Sequence, residues 1–79
     1  MSLPYFLKKY PHTIEYLADC FFYKIKTDKY SINIQEDKDK EINFISIRNE
    51  DGVIFSGMSE DMKKIYLDAK NILNNGLKE

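Results

Sequence analysis

The chain has 79 residues, of which 32% are charged and 43% hydrophobic, and a formal net charge of −1. That length allows one small domain, and that balance belongs to a chain that folds rather than to a disordered one. A charge near zero supplies no global field to gather polyanions, and the single cysteine, Cys20, excludes both an internal disulfide and a thiolate zinc cage made by this chain alone.

No stretch approaches the ~18–20 apolar residues of a membrane-spanning helix, and the first residues lack a basic segment followed by an apolar one. The expectation is a soluble, cytoplasmic protein that uses no membrane. Residues 1–79 read as a single domain, with 1–10 as an N-terminal segment and 11–76 as the folded core. Met1 to Leu3 and Leu77 to Glu79 have the character of residues appended in cloning, which is compatible with a longer natural protein.

In chain order, Ser2 to Tyr10 is a short amphipathic segment closed by Pro11, whose ring disfavours the helical region for Tyr10. It has room for one turn of helix. From Pro11 onward, Ile14, Leu17, Ala18, Phe21, Phe22 and Ile25 recur at the helical period. This spacing predicts a helix over 11–26, with Pro11 in its first turn. A competing reading ends the helix near Cys20 and starts a strand at Phe21, because the run to Thr27 is rich in strand-forming aromatic residues.

Tyr30, Ile32 and Ile34 alternate with polar residues and predict a half-buried strand. The charged run Glu36 to Glu41 then reads as a solvated hairpin loop. A second strand is expected over Glu41 to Asn49, a turn at Asn49 to Gly52, and a third strand from Val53 to Ser56 that ends at Gly57. Ser59 is the expected N-cap of a last helix, whose apolar face is Met62, Ile65, Tyr66, Ala69, Ile72 and Leu73 and whose stop is Asn75-Gly76. The predicted fold is therefore α+β: helix, three-stranded antiparallel meander, helix, with both helices on one sheet face.

On a helical wheel the predicted first helix has more apolar surface than one face needs. Tyr16, Cys20 and Tyr23 form a second stripe away from the core side. In the sheet, Ile42 and Phe44 oppose Ile45 and Ile47, so either a bulge shifts the pleat near Phe44 or both faces are partly apolar. Tyrosines at a surface boundary, with hydroxyls in water, would need no partner. The sharper expectation is a self-association or protein-partner surface containing Tyr16, Cys20 and Tyr23, with the exposed sheet face as a second candidate.

Catalytic signals are weak. A Cys20 nucleophile would need His12 as its base, and eight residues along one helix separate them by about 12 Å. Asp37, Asp39 and Glu41 alternate like the start of a calcium loop, but Ile42 stands where that loop requires glycine and Arg48 where it requires glutamate. No glycine-rich phosphate loop is present, and neither an enzyme activity, a cofactor nor a metal is expected.

The predicted order of elements resembles that of the double-stranded RNA-binding domain over roughly residues 12–75, in topology rather than in motif. Such a resemblance implies phosphate contacts from a basic start of the last helix. Here that place holds Ser59, Glu60 and Asp61, with Lys63 and Lys64 the nearest cations. The functional expectation is a small non-enzymatic interaction or regulatory module, with nucleic-acid binding as the alternative.

Overall fold

The computed structural model describes residues 3–75. Its elements are α1 (Tyr5–Lys8), β1 (His12–Leu17), β2 (Cys20–Lys26), β3 (Ser31–Asp37), β4 (Ile42–Asn49), β5 (Gly52–Ser59) and α2 (Met62–Asn75). The strands form one antiparallel sheet in sequence order, β1-β2-β3-β4-β5. The α+β class holds, but the predicted three-stranded meander between two packed helices does not. In place of a helix over 11–26 there is a β-hairpin, and the helical elements are α2 and the single turn α1.

The physical reason lies at Ala18 and Asp19. Both adopt left-handed backbone, with φ of 54° and 61°, so they form a two-residue turn of the primed type whose twist matches that of the flanking strands. Neither residue is glycine, so the usual sign of such a turn is missing from the sequence. The hairpin closes at the pair Leu17–Cys20 and runs back to His12–Ile25. The competing expectation of a strand from Phe21 was the closer one.

Holding an alanine in left-handed backbone costs about 1 kcal/mol. Ala18→Gly is therefore expected to stabilise the fold by about 0.5 kcal/mol, after the extra chain entropy of glycine is deducted. The midpoint of urea unfolding reads this directly. A fall in the midpoint would mean that the Ala18 methyl makes a contact worth more than the strain.

The remaining turns are set by side chains. Thr27 closes the β2–β3 connection, its Oγ1 accepting the Tyr30 N–H at 3.0 Å while its own N–H donates to the Tyr30 carbonyl at 2.9 Å. Asp37 accepts the N–H groups of Asp39 and Lys40 at 3.1 Å each, which bends the charged loop over 38–41. At the last turn Gly52 takes φ 122°, a region that L-residues avoid, so the expected turn at Asn49 to Gly52 forms. The strand β5 runs on past Gly57 to Ser59.

Cross-strand partners share a face, so the register sorts the sheet into two sides. The inner side carries Phe21, Tyr23 and Ile25, then Ile32 and Ile34, then Ile45 and Ile47, then Phe55. Over these pack Ile65, Ala69 and Ile72 of α2, together with Leu3 and Leu7 from the N-terminal segment. A bulge lies between Ile47 and Arg48, whose partners are Phe55 and Val53. The extra residue, Ile54, packs against the core beside Phe55, so these two neighbours in sequence both meet it. Buried Asn43 donates to the carbonyls of Ser59 and Glu60 at 3.1 and 3.4 Å, fixing the end of β5 to β4.

Asp61, rather than the expected Ser59, caps α2. Its Oδ1 accepts the Lys63 N–H at 2.9 Å, and Ser59 Oγ instead accepts the Asp61 N–H at 3.0 Å. The expected stop at Asn75-Gly76 reaches beyond the described residues. Among those residues no helix is long and apolar enough to cross a membrane.

Candidate interaction surface

Among the described residues the helices lie on one side of the sheet, and no element covers the other. Along it the register aligns Glu15, Phe22, Gln35, Phe44 and Met58 in one row across all five strands. A neighbouring row holds Leu17, Cys20, Asp37 and Ile42. Leu17 and Met58 are largely exposed, and Phe44 is at the margin of exposure. Phe22 and Phe44 stand two strands apart with Gln35 between them, and beside them lies a depression of about 160 Å3 that also touches Lys24, Asn33 and Ser46. The next row, Lys26, Ser31, Arg48 and Val53, adds two cations. One end of this face is thus apolar and aromatic, and the other is polar and basic.

The three residues expected to share a stripe are separated by the strand period. Tyr16 and Tyr23 point to the inner side, whereas Cys20 points to the open side. The ring of Tyr16 is exposed and sits 4.6 Å from that of Phe21, and its hydroxyl donates to Asp19 Oδ1 at 3.2 Å. That hydrogen bond to a carboxylate pushes the Tyr16 phenol up, with a further push from partial desolvation. Cys20 is buried, and Gln35 Nε2–H donates to its Sγ at 3.6 Å. Tyr23 is fully buried, so a continuous Tyr16–Cys20–Tyr23 stripe does not form.

Tyr23 belongs to a small polar group inside the core. Its hydroxyl donates to Glu36 Oε1 at 3.2 Å, and Glu36 pairs across the ladder with Asn43. Burial, followed by the Glu36 charge, pushes the Tyr23 phenol well above the ordinary tyrosine value. The same two causes push Tyr66 of α2 up to about 12. Both phenols thus hold their protons more tightly when folded than the value of 10.0 expected when unfolded. Stability from these groups is complete below pH ~10 and is lost as pH rises toward ~12.

The Tyr66 hydroxyl is buried without a hydrogen-bond partner among the described residues. An unsatisfied buried hydroxyl costs about 1 kcal/mol or more, so Tyr66→Phe is expected to raise stability at pH 7 by about 1 kcal/mol. It is also expected to flatten the alkaline fall above pH ~10. Urea titrations at pH 7 and pH 11 measure both effects. A destabilised Tyr66→Phe protein at pH 7 would show that the hydroxyl is satisfied.

His12 and Cys20 sit at opposite ends of the hairpin, pairing with Ile25 and Leu17, about 17 Å apart at the strand rise. Asp37 spends one carboxylate oxygen on its own loop, and no cluster of three His, Cys, Asp or Glu side chains suited to a metal is found among the described residues. A cavity of about 540 Å3 opens between the β2–β3 and β4–β5 connections. Its lining mixes Lys26, Lys29 and Arg48 with Asp28 and Glu50, which favours no single class of ligand.

No protein-family model, curated protein or solved structure matches the chain. The resemblance to the double-stranded RNA-binding domain also lapses, because a hairpin occupies the place of that fold's first helix. Leu17 and Phe22 were expected on the apolar side of a first helix rather than on an open sheet face, and Met58 was not singled out. The signal for Phe22 was the period-2 alternation of Phe22, Lys24 and Lys26 against Phe21, Tyr23 and Ile25, which the helical spacing of the same segment masks.

Proposed function

We propose that the chain is a small non-enzymatic interaction module that docks a protein partner on the open face of its sheet. The observation that carries this reading is the uncovered row of Phe22, Gln35, Phe44 and Met58, with Leu17 and Ile42 beside it. Aromatic residues and methionine are enriched in the cores of protein interfaces because each buries much area at little cost in rotamer freedom. Five strands about 4.8 Å apart and seven residues rising about 3.3 Å each give a face of roughly 24 by 23 Å. With side-chain relief added, this approaches the ~800 Å2 that each partner contributes to a standard interface. The complementary partner presents an apolar patch, with acidic groups placed to meet Lys24, Lys26 and Arg48.

A second reading, nucleic-acid binding, draws on those same cations lying next to two phenylalanines, an arrangement on which bases can stack. Affinity capture with the wild-type chain and with Phe44→Lys, each at low and at 0.5 M salt, separates the two. Protein docking predicts a bound protein that survives high salt and is lost on substitution. Nucleic-acid binding predicts a bound strand whose retention falls steeply with salt. A bound set that Phe44→Lys leaves unchanged would remove the open face from consideration.

A further inference from the structure

We propose that β1 is a self-association edge, through which two copies of the chain join antiparallel over His12–Leu17 to make one continuous ten-stranded sheet. The inference stands on the edge strand alone and does not depend on what the open face binds.

The first observation concerns the main chain. Lys26 N–H donates to the Pro11 carbonyl at 3.0 Å, and hydrogen-bonded pairs in an antiparallel ladder alternate with non-bonded ones. Applied to the register of β1 with β2, this directs the main-chain groups of Thr13, Glu15 and Leu17 toward β2 and those of His12, Ile14 and Tyr16 outward. β1 ends the strand order, so among the described residues these outward donors and acceptors have no strand to pair with. Edge strands are commonly guarded by lysine, proline or a bulge. Within β1 there is none of these, and Glu15 is its only charged residue.

The second observation concerns burial. Every residue from Thr13 to Asp19 is exposed, including Ile14 at 47%, Tyr16 at 58% and Leu17 at 67%. β1 therefore adds no buried side chain to the core that holds the other four strands. The opposite edge differs, because β5 contributes Ile54 and Phe55 to that core and lies beneath α2. A strand with three large exposed apolar side chains and an open hydrogen-bonding edge gains most from a partner that offers the same features.

The third observation selects a register. With a two-fold axis through Ile14, Ile14 faces its symmetry mate, His12 faces the mate of Tyr16, and Thr13 faces the mate of Glu15. All the outward groups then pair, giving about six main-chain hydrogen bonds. A shift of one step toward the turn gives about four and sets Glu15 against its own copy, which like-charge repulsion opposes. A shift the other way also gives about four. The contact is isologous and closes on itself, so it stops at two copies. A pairing of six residues falls below the ~1,200 Å2 of stable interfaces, which places the dimer in the weak, concentration-dependent class.

Sedimentation equilibrium of the full chain from 5 to 500 μM tests this, starting from a monomer of 9.4 kDa. The expected result is a reversible doubling of mass toward the upper end of that range. Ile14→Lys, at a site already exposed, is expected to abolish it while circular dichroism stays unchanged. Thr13→Lys and Thr13→Glu give a charge test of the register: the first is expected to tighten the dimer several-fold at low salt by facing Glu15 of the second copy, and the second to weaken it. A wild-type monomer at every concentration overturns the proposal, as does open-ended growth through β1 on β5. A dimer that resists Ile14→Lys but is lost in Phe44→Lys also overturns it and moves the association to the open face.

Discussion

Replacing Ile47 with alanine is expected to destabilise the protein by about 3 kcal/mol, the middle of the range for truncating a buried isoleucine. Ile47 is fully buried in the second half of β4, just before the bulge. Its side chain lies between Ile32 on β3 and Phe55 on β5, so no solvent can fill the space it leaves. In a domain of this size each kcal/mol shifts the melting temperature by roughly 4–8 °C, so a fall of roughly 12–24 °C is expected. Thermal unfolding followed by circular dichroism measures it. Met58→Ala, on the open face, is the matched control and should shift the midpoint by only a few degrees. If the two substitutions cost the same, the inner side of the sheet is not the core.

The second large effect is expected from Leu7→Ala. The helix α1 has four residues, too few to hold themselves in helical form, since nucleation of an isolated turn is unfavourable. It is held by packing. Leu7 is fully buried and Leu3 nearly so, both within the cluster that contains Ile25, Ile32 and Ile65. Loss of the Leu7 side chain is expected to cost about 3 kcal/mol and to free the segment preceding β1. Tyr5→Ala in the same turn removes a side chain that is 80% exposed and should change stability by less than about 0.5 kcal/mol. Urea unfolding gives the energies, and limited trypsin digestion at Lys8 and Lys9 reports release of the segment. Equal resistance of the Leu7→Ala and Tyr5→Ala proteins would show that α1 is not anchored through its buried side.

Both effects depend on the sequence having placed its larger apolar residues on one side of a pleated sheet. Much of that placement is legible without coordinates. Ile32 and Ile34 alternate with Ser31, Asn33 and Gln35, and the structure pairs them with Ile25 and Tyr23 on one flank and with Ile47 and Ile45 on the other. Met62, Ile65, Ala69 and Ile72 recur at the helical period, and α2 buries Ile65, Ala69 and Ile72. Gly52 acts through a purely local rule, as a turn residue with positive φ, whereas the cap of α2 fell to Asp61 rather than to the expected Ser59.

The candidate surface was only partly legible. The possibility that both sheet faces are partly apolar is visible in β4, where Phe44 opposes Ile45. The row that Phe44 joins was not visible, because it depends on Phe22 lying on the same face two strands away. Tyr16, Cys20 and Tyr23 fall together on a helical wheel and apart on a strand, where odd spacings reverse the face.

By itself, then, the sequence determined the presence and order of β3, β4, β5 and α2, because their periods and the Gly52 turn are written in adjacent residues, whereas the bulge, the end of β5 at Ser59 and the Asp61 cap were not read from it. The fate of residues 11–26 was decided only by tertiary structure. Ile14, Leu17, Phe21 and Ile25 satisfy a helical period, while Phe21, Tyr23 and Ile25 satisfy a strand period equally well, and the turn between Leu17 and Cys20 carries no glycine to mark it. A helix would have satisfied its backbone locally, whereas β2 forms a ladder with β3 that also sets Tyr23 beside Ile34 and Ile25 beside Ile32. Those contacts lie between residues 7 and 11 positions apart and bury Tyr23 and Ile25 almost completely. Cross-strand burial outweighed local period, and β1 followed β2 into the sheet as its exposed edge.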